Sequence, residues 1–408
     1  MNDDTNKNPR LQGLLQRCAE SARARFGKTA PIDVVVSPYR FNPLGAHVDH
    51  QGGSVLARTI DQYTLLPFLA NENSDRITLS ANPGWAVSEA SFTAGDLDAT
   101  ENWIRYAQAS ARALKEQLPS HSQGIGGYQG QVEGTLVGAG LSSSASVVLA
   151  YLMAMAHSAG LSLTRKDLVE LSRQVENNYL GLNNGIQDQM SIVFGQTDAL
   201  SLLDMNKVAA SAVPDAATVN EICWIICYSG FSRELINSGF NTRVAECREA
   251  AKSLGALQRT DATILGDLKR HQALEQLSKI EPLLQLRALH FFSETERVEQ
   301  GCRAWSTGSW VDFGQLMNAS CHSSITQYES GSQALIDLHE IASATSGVYG
   351  SRFGGGGYGG CLIALTDRRV ASDAQSSILE SYRKRYPEKD NAHIFIANSE
   401  SCVRLETV

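Results

Sequence analysis

Residues 138–145 read Gly138-Ala139-Gly140-Leu141-Ser142-Ser143-Ser144-Ala145, and an apolar run over 147–155 follows almost at once. Small residues let a backbone approach a ligand closely, and the serines stand where a helix would begin. The first turn of a helix carries amide groups without intrahelical partners and the positive end of the dipole. Such a start is an anion site, and serine hydroxyls beside a bound phosphate can also ligate Mg²⁺. The stretch is not the GxxxxGK[ST] nucleotide loop, since no lysine follows. Taken alone, a Gly-Ser turn capping an ordinary helix explains the same letters.

Three other stretches stand around it. Upstream is Ser37-Pro38-Tyr39-Arg40-Phe41-Asn42-Pro43-Leu44-Gly45-Ala46-His47-Val48-Asp49-His50-Gln51-Gly52-Gly53. It follows a β-branched run at 32–36 that reads as a strand, so 37–53 is expected to be a loop at a strand end. Its Arg, two His and Asp form a dense polar cluster, and a carboxylate with a ring nitrogen suits the hydroxyls of a sugar. Downstream is Gly347-Val348-Tyr349-Gly350-Ser351-Arg352-Phe353-Gly354-Gly355-Gly356-Gly357-Tyr358-Gly359-Gly360-Cys361. That composition fits a loop pressed against a ligand or another backbone, and it runs into a strand at 362–365 without the Ser/Pro spacing of a linker. Between them lies Glu176-Asn177-Asn178-Tyr179-Leu180-Gly181-Leu182-Asn183-Asn184-Gly185-Ile186-Gln187-Asp188-Gln189. Phosphoryl transfer needs a metal ligand and a group beside the attacking hydroxyl, and Glu176 and Asp188 could supply them. By itself Asp188 reads equally as a residue starting a helix.

The whole chain sets limits on these readings. Its 408 residues suffice for two ordinary domains, and 43% apolar residues allow a full core. A net charge of −8, from 35 basic and 43 acidic residues, argues against nucleic acid or a membrane surface as partner. The eight cysteines are scattered, with no CxxC or zinc spacing, so reduced, buried thiols and a cytoplasmic setting are expected. The start, MNDDTNKNPR, lacks an apolar signal-peptide stretch, and no apolar run approaches the ~18 residues of a membrane span.

Periodicity predicts helices over 11–26, 101–117, 142–159 and 165–179, with short strands and Gly-rich turns filling 32–137. After 201 come a buried strand at 222–227 and helices over 241–254, 281–298, 309–325 and 330–345. The chain ends with a strand at 362–365, a helix near 369–385 and a strand at 393–397. The fold class is α+β, with a soft boundary near 205 that divides the chain into 1–205 and 206–408.

In this order the segments resemble the GHMP kinase superfamily, its galactokinase branch in particular. Galactokinases read close to GRxNLIGEHTDYxGG, GLSSSA and GxRMTGxGFGG at the three places, with a glutamate twelve residues before the Asp of a GxxDQ motif. Trp103 and Tyr106 fall in a W-x-x-Y pattern, and Asn241-x-Arg243-x-x-Glu246-Cys247 follows the family's NxRxxEC. The resemblance implies a ribosomal-protein-S5-like N-terminal domain and a ferredoxin-like C-terminal domain with the active site in the cleft between them. It implies ATP and Mg²⁺ as cofactors and a small sugar as substrate, in a monomer or small homo-oligomer. Asp188 would face the anomeric hydroxyl, paired with Arg40. Ser144 and Glu176 would hold Mg²⁺. Gly138, Ala139, Gly140, Leu141, Ser142, Ser143 and Ser144 would cradle the phosphates, with Gly355 and Gly356 closing over them and Trp103 walling the adenine pocket. His47, Asp49 and Gly185 would contact the sugar. A non-catalytic sugar sensor, the competing class, predicts damage to these motifs, and they are intact.

Two positions depart from galactokinase spelling. Where galactokinases place a glutamate that accepts from the sugar's 6-hydroxyl, this chain has Ala46. An anion facing a C6 carboxylate at ~4 Å would cost about 1–4 kcal/mol, so its absence suits a uronic acid. The surrounding PYRxxPLGAHxDHQGG resembles galacturonokinase, as do Tyr179-Leu180-Gly181-Leu182-x-Asn184-Gly185-Ile186 and Phe292-Ser293-Glu294. Phe240 stands where both kinase types carry a sugar-contacting tyrosine, and loss of that hydroxyl costs about 0.5–1.5 kcal/mol. The resemblance thus implies a D-galacturonate 1-kinase, with galactokinase as the alternative and glucuronate as a further one. Tyr39, Arg58 and Arg233 are the candidates to meet the C6 carboxylate.

Overall fold

The structure is a computed structural model that describes residues 8–27, 31–71, 74–81, 88–99, 101–117, 125–136, 138–182, 184–231 and 239–408. Its elements run α1 (Pro9–Phe26), β1 (Asp33–Leu44), β2 (Val55–Asn71), β3 (Ile77–Ala81), β4 (Glu89–Phe92), α2 (Asn102–Gln117), β5 (Gly127–Gly134), α3 (Ser143–Ser158), α4 (Arg165–Gln174) and α5 (Gln187–Val193). Then come β6 (Ala199–Asp204), β7 (Ala209–Pro214), β8 (Ile222–Tyr228), α6 (Phe240–Gln258), α7 (Arg270–Gln276), α8 (Pro282–Thr307), α9 (Trp310–Thr326) and α10 (Gln333–Ala344). Strands β9 (Val348–Phe353) and β10 (Cys361–Asp367), helix α11 (Ala371–Arg385) and strands β11 (His393–Ala397) and β12 (Arg404–Thr407) complete the chain.

Two sheets organise the molecule, an α+β architecture as expected. The first has strand order β12-β1-β2-β5-β3-β4, with β6 and β7 attached to β2; the second has order β11-β8-β10-β9. The first sheet continues past residue 205, because β7 pairs β6, and it is rejoined by the C-terminal strand β12. Helix α3 is apolar all round and buried along nearly its whole length, which fits a helix enclosed by protein rather than lying on a surface. It packs on β1, β2, α2 and α4.

The expected loop over 37–53 is a strand for half its length, since β1 runs unbroken to Leu44. Tyr39 and Phe41 point into one apolar cluster while Arg40 and Asn42 face the opposite side, the two-residue alternation of a strand. Pro38 is tolerated because β12 pairs β1 only up to Val36 and the β1–β2 register shifts between Pro38 and Tyr39. The expected helix over 165–179 is also divided: α4 stops at Gln174 and Val175–Tyr179 forms a π-helical turn. Single π turns inside helices gather at functional sites, and this one carries Glu176.

Candidate active site

The two sheets meet where β1 lies beside β9 and the glycine loop after it. Arg40 Nη1 donates to the Gly354 carbonyl at 2.7 Å, and Arg352 Nη1 donates to the Asn42 carbonyl at 2.8 Å. A cleft opens there, lined by Arg40, Ala46, His47, Asp49, Gly185 and Asp188. Glu176, Phe240, Gly355 and Gly356 line it too, so ten of the residues expected at the site face one cavity.

Asp188 sits in the first turn of α5, where the helix-start reading puts it. Arg40 Nε and Nη2 donate to its Oδ1 at 3.0 and 2.5 Å, and Arg40 is 1% exposed. A buried guanidinium with two donors on one oxygen fixes where that carboxylate points. Asp49 lies nearby. Burial, with the charge of Asp188 added, pushes its carboxyl up to about 6. It accepts from the Gln187 amide at 3.4 Å. Gly185 is required by this packing: a Cβ there would stand 2.0 Å from Asp49 Oδ2.

His47 and His50 both rest on Tyr328. The His47 ring stacks on it at 4.1 Å, with Nε2 3.1 Å from Ser330 Oγ; His50 Nε2 is 3.0 Å from the Tyr328 hydroxyl. Burial holds His50 neutral, its pKa pushed down to about 3. Phe240, at the start of α6, meets the His50 ring edge-on at 6.1 Å.

The turn carrying Ala46 is gripped from behind by α8. Glu294 Oε1 accepts from the Gly45 and Ala46 amides at 2.7 and 2.9 Å and from Ser320 Oγ at 2.7 Å. Its Oε2 accepts from Arg297 Nε at 2.7 Å, and His290 Nε2 lies 2.8 Å from the Ala46 carbonyl. Burial raises the Glu294 carboxyl, but Arg297, His290 and Arg352 outweigh it and bring it down to about 2. Of this clamp only the letters Phe292-Ser293-Glu294 stand out in sequence; Arg352, Asn42, Asn184 and Gln187, all in the lining, lie within the quoted motifs without a role attached.

The 138–144 loop lies against the glycine loop. Gly140 adopts φ +75°, and a Cβ on it would stand 3.2 Å from the Gly360 Cα; a Cβ on Gly355 would stand 2.8 Å from the Gly140 carbonyl oxygen. The Arg40 amide donates to the Leu141 carbonyl at 3.2 Å, which ties this loop to the cleft. Ser142 (φ 63°) precedes α3 without capping it, and its hydroxyl is buried with no hydrogen-bond partner. An uncapped helix start beside an unsatisfied hydroxyl fits the phosphates of a nucleotide. Glu176 is 1% exposed, and its Oε2 accepts from Gln189 Nε2 at 2.8 Å and Asn184 Nδ2 at 3.3 Å. Among the described residues no three His, Cys, Asp or Glu gather as a metal cage. Mg²⁺ takes few protein ligands beside phosphate oxygens and water, so a donor set of Ser144 and Glu176 is compatible with it.

Two expectations are corrected and one falls outside the described residues. Tyr39 does not face the cleft; strand alternation buries it wholly in the opposite apolar cluster. Arg58 is not free to meet a ligand, since its Nη2 binds Asp215 Oδ2 at 2.6 Å and the Thr197 carbonyl at 3.1 Å. Trp103 is 4% exposed and packs in the main core. Arg233 lies outside the described residues. The eight cysteines are free thiols, six of them buried, and no helix among the described residues is long and apolar enough to cross a membrane.

Residues 105–196 match the GHMP kinases N terminal domain, 298–384 the GHMP kinases C terminal domain, and 23–67 the galactokinase galactose-binding signature. The chain belongs to the GHMP kinase family, in its galactokinase branch. It is a sugar kinase of galactokinase or galacturonokinase type, in a family whose members use ATP. The galacturonokinase of Arabidopsis thaliana is 36% identical over 383 residues, covering 88% of this chain and 89% of that protein. The galactokinase of Staphylococcus saprophyticus is 33% identical over 378 residues, covering 90% of this chain and 94% of its own. The crystal structure of Lactococcus lactis galactokinase complexed with galactose superposes with a TM-score of 0.86 at 28% identity, over 96% of this chain and 99% of that one.

Proposed function

We propose that this kinase phosphorylates the anomeric hydroxyl of D-galacturonate. Asp188, held by Arg40, faces that hydroxyl and orients it toward the γ-phosphoryl group. The phosphates lie along the 138–144 loop and the start of α3, with Ser144 and Glu176 as ligands of a Mg²⁺ ion that would neutralise phosphate charge. His47 and Asp49 take ring hydroxyls. The two loops pressed together at Gly140 and Gly355 exclude water from the transfer, which consists mainly of positioning and charge stabilisation.

The observation that carries the choice of sugar is Ala46. It lines the cleft with a methyl group where galactokinases present a carboxylate, and its backbone is fixed from both sides by Glu294 and His290. A carboxylate there would repel a C6 carboxylate by about 1–4 kcal/mol. The likeness to the Arabidopsis galacturonokinase supports the same reading. Galactose is the second reading, favoured by the match of residues 23–67 to the galactose-binding signature. The variant Ala46→Glu tests the choice: galacturonate kcat/KM is expected to fall about 10-fold or more relative to galactose. Equal effects on the two sugars would undo the electrostatic basis.

A further inference from the structure

Tyr328 is fully buried, yet both histidines of the 46–50 segment rest on it. Its ring lies within 6° of parallel to the His47 ring at 4.1 Å, and its hydroxyl meets His50 Nε2 at 3.0 Å. The direction of the second contact follows from its neighbours. The Leu265 amide can only donate, and it donates to Gln51 Oε1 at 3.0 Å, which assigns the other end of that side chain as the nitrogen. Gln51 Nε2 stands 2.9 Å from His50 Nδ1, so Nδ1 accepts and carries no proton. Burial keeps the ring neutral, which leaves its proton on Nε2, and Nε2 donates to the Tyr328 oxygen. The galactokinase spelling GRxNLIGEHTDYxGG has a tyrosine in place of His50. A tyrosine hydroxyl can turn its proton either way, whereas an imidazole held at Nδ1 cannot.

Tyr328 is itself held from α8. Arg287, fully buried, donates from Nη1 to the Gln327 carbonyl at 2.5 Å and from Nη2 to Glu329 Oε2 at 2.6 Å. One guanidinium thus grips the residue on either side of Tyr328, and its Nε donates to Glu246 Oε2 on α6 at 2.6 Å. His47 and Glu329 both adopt φ 56°, a left-handed backbone that a non-glycine residue keeps only where its surroundings fix it. These two strained residues belong to the two sides of the same contact.

We propose that Tyr328 is a positioning residue for sugar recognition, its ring face setting the plane of His47 and its oxygen ending a donor chain that runs from Leu265 through Gln51 and His50. The inference rests on the reading that His47 and Asp49 take ring hydroxyls, and it holds for either sugar. Tyr328 thereby fixes the short segment that carries both contacts. Those contacts lie away from the reacting oxygen. Losing their alignment weakens sugar binding in the ground state and the transition state alike, so it appears in KM rather than in kcat.

The test compares Tyr328→Phe, Tyr328→Leu and His47→Ala with the wild type, using whichever of galacturonate and galactose is the better substrate and thermal melting to check folding. Tyr328→Phe keeps the ring and removes the oxygen. Its sugar KM is expected to rise about 2- to 10-fold, the range for one hydrogen bond, with kcat and the KM for ATP nearly unchanged. Tyr328→Leu removes the ring face as well and is expected to raise sugar KM further, toward the value of His47→Ala. Nitrogen NMR of histidine-labelled protein gives a readout besides activity, with the His50 signal identified by its loss in His50→Asn. Nε2 is expected to be protonated and Nδ1 bare at neutral pH, and the Nε2 proton should exchange faster with water in Tyr328→Phe. A His50 proton found on Nδ1 would overturn the proposal. Equal rises in KM for sugar and ATP, or a lower kcat at unchanged sugar KM, would overturn it too and make Tyr328 a structural residue. If the Leu variant does not fold, Tyr328→Phe and the NMR decide alone. A folded His47→Ala variant with unchanged sugar KM, or a wild type that phosphorylates neither sugar, overturns the underlying reading and this inference with it.

Discussion

At the scale of single residues, the site rests on carboxylates whose surroundings give them different tasks. Asp188 is fixed by Arg40, so Asp188→Asn is expected to lower kcat by about 10²–10⁴. Sugar affinity by calorimetry should change far less; a parallel loss of binding would mean that Asp188 only holds the pocket together. Asp49 is pushed up to about 6 by burial and by Asp188. Its folded pKa lies above the ordinary value, so its contribution to stability falls as pH rises from about 4 through 6. Its ability to accept from sugar hydroxyls rises over the same range. Sugar affinity is therefore expected to increase between pH 5 and 7 with a midpoint near 6, and Asp49→Asn should flatten that profile. Gly185→Ala would drive a methyl to 2.0 Å from Asp49 Oδ2. It should raise KM for the sugar severalfold and leave KM for ATP nearly unchanged.

At the scale of elements, the quoted motifs already contain nearly every residue of the cleft, because the chemistry constrains their spelling. What they conceal is direction. Tyr39 and Arg40 are adjacent letters, yet β1 continues through them and sends one to the core and the other to Asp188. A run containing two prolines and a bulge does not announce a strand, so Tyr39 reads as a ligand until the pairing with β2 is seen. The clamp on Ala46 is equally hidden, since α8 lies about 250 residues downstream of it (Glu294 and Ala46 are separated by 248). Glu294 has a folded pKa of about 2, below the ordinary 4.5, so the stability it lends is complete above pH 4.5 and is lost as pH falls toward 2. Glu294→Gln should remove that part of the acid sensitivity in melting curves and raise KM for the sugar, because two amides of the turn lose a charged acceptor. Unchanged melting between pH 3 and 5 would contradict the assignment.

At the scale of the whole molecule, helices and buried strands were legible from periodicity, and most observed bounds fall within a few residues of the expected ones. The return of the chain end was not legible. Nothing in residues 398–408 announces that Asn398 binds Asp61 Oδ1 and Oδ2 at 3.0 and 2.9 Å, that Glu400 meets the Tyr63 hydroxyl, or that β12 pairs with β1. Such contacts join positions more than 300 residues apart and leave no local pattern. Since β1 also carries Arg40, removing residues 398–408 is expected to lower the melting temperature and reduce kinase activity together; an unchanged melting temperature would show the return to be dispensable.

The central proposal is that a galactokinase-like site with Ala46 at its C6 wall serves an acid. The most direct measurement is ATP consumption by the purified protein with galacturonate, galactose and glucuronate side by side. The expected result is a kcat/KM for galacturonate above that for either other sugar, and a clear preference for galactose would contradict it.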